Sequence, residues 1–155
     1  MTRQIEPKLL ERLGLLVVRF ALVEQTISDL FIHLTGGDPG AMVVVTSNSS
    51  QSSISNWTRT LLDIRSTPDE HELSNELREA LTEADRLRGL RNDLVHGLWG
   101  TNCPPGSVCV QTVRLERNEI IKDLVVTASD LDDLIVDTEE VAAQLLSILK
   151  RAQEP

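Results

Sequence analysis

The sequence predicts an all-α fold, an up-and-down helical bundle with a small β-hairpin or meander inserted before the last helix. Three observations carry the prediction. Apolar residues recur at helical spacing over three long stretches, Leu9 to Leu34, Leu73 to Leu98 and Leu131 to Leu149. Between the second and third stretches lie two β-branched runs, VCVQTVRL and IIKDLVV, with Arg117-Asn118 at the expected turn. With 155 residues the chain fits one domain, residues 1–155, carrying the β insertion at about 99–127 as an appendage.

The first helix is expected from Ile5 to Leu34, with Leu9, Leu13, Leu16, Phe20, Val23, Ile27, Phe31 and Leu34 on its core face. Glu24 lies about 40° from Phe20 at that pitch, inside the apolar stripe. TGGDPG, residues 35–40, stops the helix, because glycine takes positive φ and proline cannot continue the hydrogen-bond ladder. The following AMVVVTSNSSQSS reads as a short buried segment and a serine-rich loop, whose serines can cap the next helix. Ile54, Trp57, Leu61 and Ile64 mark that helix, which bears Arg59 and Arg65. Thr67-Pro68-Asp69-Glu70 then combines a threonine cap, proline at the first helical position and glutamate three residues after the cap. The helix it opens is expected to run to His96, with Gly97 as a left-handed terminator. Ser129 is the expected cap of the last helix, and the acids that crowd its first turns suit the helix dipole.

Composition narrows the function classes. The 24 acids against 15 bases give a formal charge of −9, and aromatics make up 3%, which argues against a broad basic groove or a base-stacking platform. Charges at Arg3, Glu6, Lys8, Glu11 and Arg12 interrupt the first twenty residues, so neither a signal peptide nor a membrane span is expected. A cytoplasmic location follows. Cys103 and Cys109 are too few for a disulfide framework and are expected as free thiols, and without a nearby histidine they suggest no metal site. No cofactor is expected either. The chain contains no Walker loop, no HExxH, no GxSxG and no tyrosine.

What stands out is LRGLRNDLVHGLWG, residues 87–100. On a helix Leu73, Leu77, Ala80, Ala84, Leu87, Leu90, Leu94 and Leu98 form one face, and Arg91 falls in its middle. A buried guanidinium needs a carboxylate, a phosphate or a subunit boundary, and Glu24 is the most economical carboxylate. Asn92 and His96, four residues apart, project together at the edge of that face. Arg78, Arg86 and Arg88 complete the densest basic cluster; Arg78 and Arg86 are expected to be solvated and paired with Glu76, Glu79, Glu83 and Asp85, leaving Arg88 as a supporting cation. Gly89 points to the side of His96, either to admit a backbone or phosphate or as a tolerated exposed glycine. An arginine fork grips phosphate in two places, and histidine exchanges protons near neutral pH. That pair suits cleavage of RNA by its own 2′-OH, which needs no metal.

RNDLVH, residues 91–96, resembles the R-x(4–6)-H motif of the HEPN superfamily, in the form with a polar residue directly after the arginine. The same pattern occurs at Arg65 to His71, but there Pro68 and a helix start intervene. The setting strengthens the first match: it lies late in a long helix, is followed by HG and a tryptophan, and belongs to a largely helical chain. The likeness covers residues 5–99 and 129–151. It implies a homodimer whose two motifs share a cleft, an endoribonuclease of toxin–antitoxin or phage-defence type, and an antitoxin or defence-system protein as partner. In that scheme Arg91 stabilises the phosphorane, His96 is general acid or base, and Asn92 orients either. The product would be a 2′,3′-cyclic phosphate. Other members have lost catalysis and bind nucleotides or proteins, so a silent dimeric binding module is the alternative. The plainest assignment has Arg91 bridging helices through Glu24 and His96 merely capping its helix. One branch carries tyrosine two residues after the histidine as a target for nucleotidyl transfer; here that residue is Leu98, so the chain lacks that control.

Overall fold

Five helices and one three-stranded sheet form the computed structural model, which describes residues 5–65, 71–100, 103–114 and 119–154. The helices are α1 (Pro7–Thr35), α2 (Pro39–Ser47), α3 (Gln51–Arg65), α4 (His71–His96) and α5 (Ala128–Gln153). Strands β1 (Leu98–Gly100), β2 (Ser107–Arg114) and β3 (Glu119–Thr127) lie between α4 and α5 and pair antiparallel in the order β1-β2-β3. The expected fold class is therefore the observed one: mostly helical, with a β meander before the last helix. Among the described residues no helix is long and apolar enough to cross a membrane. The Thr67–Glu70 helix start and the Arg117-Asn118 turn lie outside the described residues.

The chain divides into two compact units, residues 1–19 with 86–138 and residues 20–85 with 139–155. In the first, Leu9 and Leu16 of α1 bury against Leu94, Leu131, Ile135 and the sheet residues Val108, Val110 and Val126. The sheet is thus part of this core, not the appendage its sequence suggests. Its inward valines alternate along β2 as the two-residue period requires, and Gly100↔Cys109 and Val108↔Val126 fix the register.

In the second unit Phe20, Val23, Ile27, Leu30 and Phe31 supply the buried face of α1, and Leu77, Ala80, Leu81 and Ala84 that of α4. Trp57 leans on Phe31 with ring centroids 5.8 Å apart. Of the apolar residues that mark α3, Ile54 is buried but Trp57 and Ile64 are not. Ile54, Ser55, Thr58 and Leu62 are inside, while Trp57 is 41% and Ile64 74% exposed. Small polar residues can occupy this core because each is satisfied: Thr58 donates to the Ile54 carbonyl, and Ser55 meets both Arg59 and Asp85.

Helix starts account for two further differences from the sequence reading. The segment read as a short buried stretch is α2, capped by Asp38 with proline at its start, and none of its residues is buried. Ser50 caps α3 through the Ser53 N–H, as the serine-rich stretch suggested. The cap of α5 is Thr127, not Ser129. Its hydroxyl accepts from the Asp130 N–H at 3.2 Å, while the Asp130 carboxylate accepts from the Thr127 N–H and hydroxyl, both at 2.7 Å. This reciprocal box satisfies orphan donors that a cap at Ser129 would leave unmet.

Those hydrogen bonds, the hydroxyl first and the backbone N–H second, hold the Asp130 carboxyl below its ordinary range. A carboxyl with a depressed folded-state pKa adds stability above its unfolded value and loses it as pH falls through the folded one. Thr127→Ala is therefore expected to cost about 1 kcal/mol at neutral pH. The deficit should shrink below the ordinary carboxylate range, as urea midpoints across an acid series would reveal.

The cysteines also differ from expectation: Cys103 and Cys109 form a disulfide, with Cα atoms 5.9 Å apart. The Pro104–Gly106 turn, where Gly106 takes φ 79°, reverses the chain and returns Cys109 to β2 opposite Gly100. That separation falls in the range a disulfide spans. Closing so short a loop is worth about 2 kcal/mol in the unfolded-chain entropy account. Thermal melts with and without reductant should differ accordingly, and identical melts would show that the bond does not constrain the unfolded chain.

Candidate functional site

The motif occupies the last two turns of α4. Its leading feature is how firmly that helix end is fixed. Asp93, whose side chain is only 18% exposed, pairs with Lys122 of β3 and accepts from the Thr112 hydroxyl of β2 at 3.3 Å. The Trp99 indole N–H donates to the Leu94 carbonyl at 2.7 Å, satisfying one of the acceptors that every helix C-terminus leaves open. Leu94 is buried in the core of the first unit. Two strands and a returning tryptophan thus hold the helix where it presents Asn92 and His96.

Gly97 makes this close seating feasible. It does not have the left-handed backbone expected of a terminator; among the described glycines only Gly36 and Gly106 take positive φ. Its amide N–H still donates to the Asp93 carbonyl at 2.9 Å. A Cβ there would collide with that same carbonyl oxygen and with Cγ1 of Val110, and would lie 3.4 Å from the Gln111 carbonyl oxygen. Glycine is required by the approach of β2, not by backbone handedness.

Around this anchor Arg91 is half-buried, whereas Asn92 and His96 are exposed. Asn92 and His96 share one edge of the helix, as their spacing requires. Arg91 and His96 are about 140° apart around the axis and roughly 7.5 Å apart along it. One chain therefore brings Asn92 to His96 and sets Arg91 on the adjoining, partly covered side. Val95 is 39% exposed, and Leu98 does not continue the apolar helix face as expected: the helix ends at His96, and Leu98 opens β1 with 61% exposure. Arg88 is half-buried; neither it nor Arg91 is an unengaged cation. Gly89 is exposed, with open space where a Cβ would stand, so no close approach accounts for it. Glu24 is half-buried on α1 in the second unit.

Arg78 and Arg86 reach acids on other helices. Arg78 pairs with Asp63 at 2.6 Å and Arg86 with Asp137 at 3.0 Å. Asp85 receives Arg59 at 2.7 Å, and Glu76 receives Arg151. They are framework contacts. Among the described residues no three His, Cys, Asp or Glu side chains are grouped to hold a metal ion, and the disulfide removes both thiols from any such set.

Sequence reasoning missed Asp93, Thr112, Lys122 and Trp99 as the residues that position the motif. Asp93 offered a signal, since it lies on the polar side of α4 within RNDLVH, but its partners lie 19 and 29 residues on in the strands. No family model, curated protein or solved structure matches the chain.

Proposed function

We propose that the protein is a metal-independent endoribonuclease of HEPN type, an effector of toxin or phage-defence character, acting as a cytoplasmic homodimer. The observation that carries this reading is the presentation of His96 and Asn92 to solvent on an anchored helix end, one turn from a half-buried arginine. In the proposed reaction His96 takes the proton from a ribose 2′-OH or gives one to the departing 5′-oxygen. Arg91 holds the phosphate oxygens as negative charge accumulates on phosphorus. Asn92 orients the imidazole or the phosphate. The bond formed is 2′-O to phosphorus and the bond broken is phosphorus to 5′-O, which leaves a 2′,3′-cyclic phosphate and a 5′-hydroxyl.

A second copy supplies what a single chain does not. With Arg91 and His96 about 140° apart on one helix, a two-fold pairing of the α4 ends would set the arginine of one protomer near the histidine of the other. The exposed Val95 and Leu98 give that pairing apolar surface beside His96. The test is cleavage of RNA in EDTA with analysis of product ends, beside light scattering for oligomeric state. Cyclic phosphate ends from a dimer support the proposal; a monomer, or an intact dimer that cleaves no RNA, overturns it.

The formal charge of −9 favours a second reading, a silent dimer that binds a nucleotide or an antitoxin-like protein, because general attraction to RNA is absent. It predicts an intact dimer whose behaviour does not depend on His96.

A further inference from the structure

The second unit has a half-open pocket of about 240 Å³ lined by residues of α1, α3, α4 and α5, with His33 and Arg65 exposed at its rim. Leu30, Leu62, Leu77 and Ile148 form much of its wall, and its two cationic or protonatable residues are Arg65 and His33. Arg65 is held in place from behind: its guanidinium donates to the main-chain oxygens of Leu34 and, at 3.0 Å, of Thr35, the last carbonyls of α1. Two of its five donors are used in this way. The group is therefore pre-oriented at the lining, and a ligand would bear little of the entropy cost of ordering it.

Charge is sorted among the cavities. Acids outnumber bases 24 to 15 in the chain, yet no carboxylate lines this one among the described residues. The neighbouring groove that shares His33 includes Asp29, and the cavity of the first unit is lined by Asp130, Asp133 and Asp137. An apolar wall with a few fixed polar groups is the usual make-up of a small-molecule site. Here the polar groups select the sign of the ligand.

We propose that this cavity binds a small apolar carboxylate, its tail against Leu30, Leu62 and Ile148 and its carboxylate against Arg65 and His33. The volume corresponds to roughly eight waters, which suits a short acyl or aryl acid. A monoanion matches the single guanidinium charge. This site is independent of Arg91 and His96, so its fate and that of the ribonuclease reading are separately decided.

The probe is octanoate, titrated against the full-length protein by calorimetry and by two-dimensional amide NMR, with octylammonium as the same tail under the opposite charge. Octanoate is expected to bind at least tenfold more tightly than octylammonium and to move the amides of α3 and of the α5 C-terminal turns. Ala152→Leu, which fills the cavity and leaves Arg65 in place, should weaken octanoate at least tenfold. Arg65→Met should erase the preference for the acid. If Arg65→Met does not fold, the head-group comparison and Ala152→Leu still decide. No saturable binding of octanoate to the folded wild type, equal affinity for the two head groups, or wild-type binding by Ala152→Leu would each overturn the proposal.

Discussion

His96→Ala is expected to lower RNA cleavage at least about 100-fold, the scale on which a general acid or base acts. Its stability should stay within about 0.5 kcal/mol of wild type, because the imidazole is exposed. Arg91→Ala is expected to cost about 10²–10³-fold through lost stabilisation of the phosphorane charge. Arg91 is half-buried and engaged, so some of that loss could be structural. Arg91→Lys separates the two effects: it keeps the charge but loses the planar fork, and a catalytic role requires that it remain impaired while the dimer persists. Cleavage that survives both His96→Ala and Arg91→Lys unchanged would sink the catalytic assignment of these two residues and place the reaction elsewhere on the protein.

Gly97→Ala should produce the largest loss of stability of any single methyl added to the chain, about 3 kcal/mol. The added carbon meets a main-chain oxygen of α4 and a buried valine of β2, neither of which is a flexible side-chain tip. To accommodate it, β1 and β2 must move away from the helix end, which loosens the Trp99 bond to Leu94 and the Asp93 bonds to Thr112 and Lys122. The urea midpoint should fall, and tryptophan fluorescence should report the shift at Trp99. Gly89→Ala is the internal control: it lies in the same helix beside open space, and the better helix propensity of alanine should make it neutral or stabilising. If the two substitutions behaved alike, close packing at Gly97 would not be the cause.

Much of this fold was legible because three helices each bury a continuous stripe. Leu9, Leu16, Phe20, Val23 and Ile27 keep the helical period, and α1 forms within two residues of the expected bounds. The same logic fails for α2, where Val43, Val44 and Val45 are all exposed. Period analysis detects a helix by its buried side, and α2 has none. On α3 Ser55 and Thr58 share the core with Ile54 and Leu62, since a small polar side chain that bonds its own backbone or a neighbour enters without penalty. The disulfide was written in CPPGSVC, but its closure depends on how the turn pairs β1 with β2. In the site, Arg91, Asn92 and His96 were legible as a motif, whereas the residues that position them lie in strands that a helix-centred reading treated as peripheral.

The discontinuity of the first unit bears on how the chain is made. Leu9 and Leu16 leave the ribosome early, but their core partners Leu131 and Ile135 follow more than a hundred residues later. At about 5–20 residues per second, the apolar face of the N-terminal helix waits on the order of ten seconds for its partners. Through that interval the nascent helix is amphipathic and uncovered, and the unit cannot close until nearly the whole chain has emerged. A chain assembled on this schedule acquires its anchored helix end late, so a truncated or stalled product would lack it.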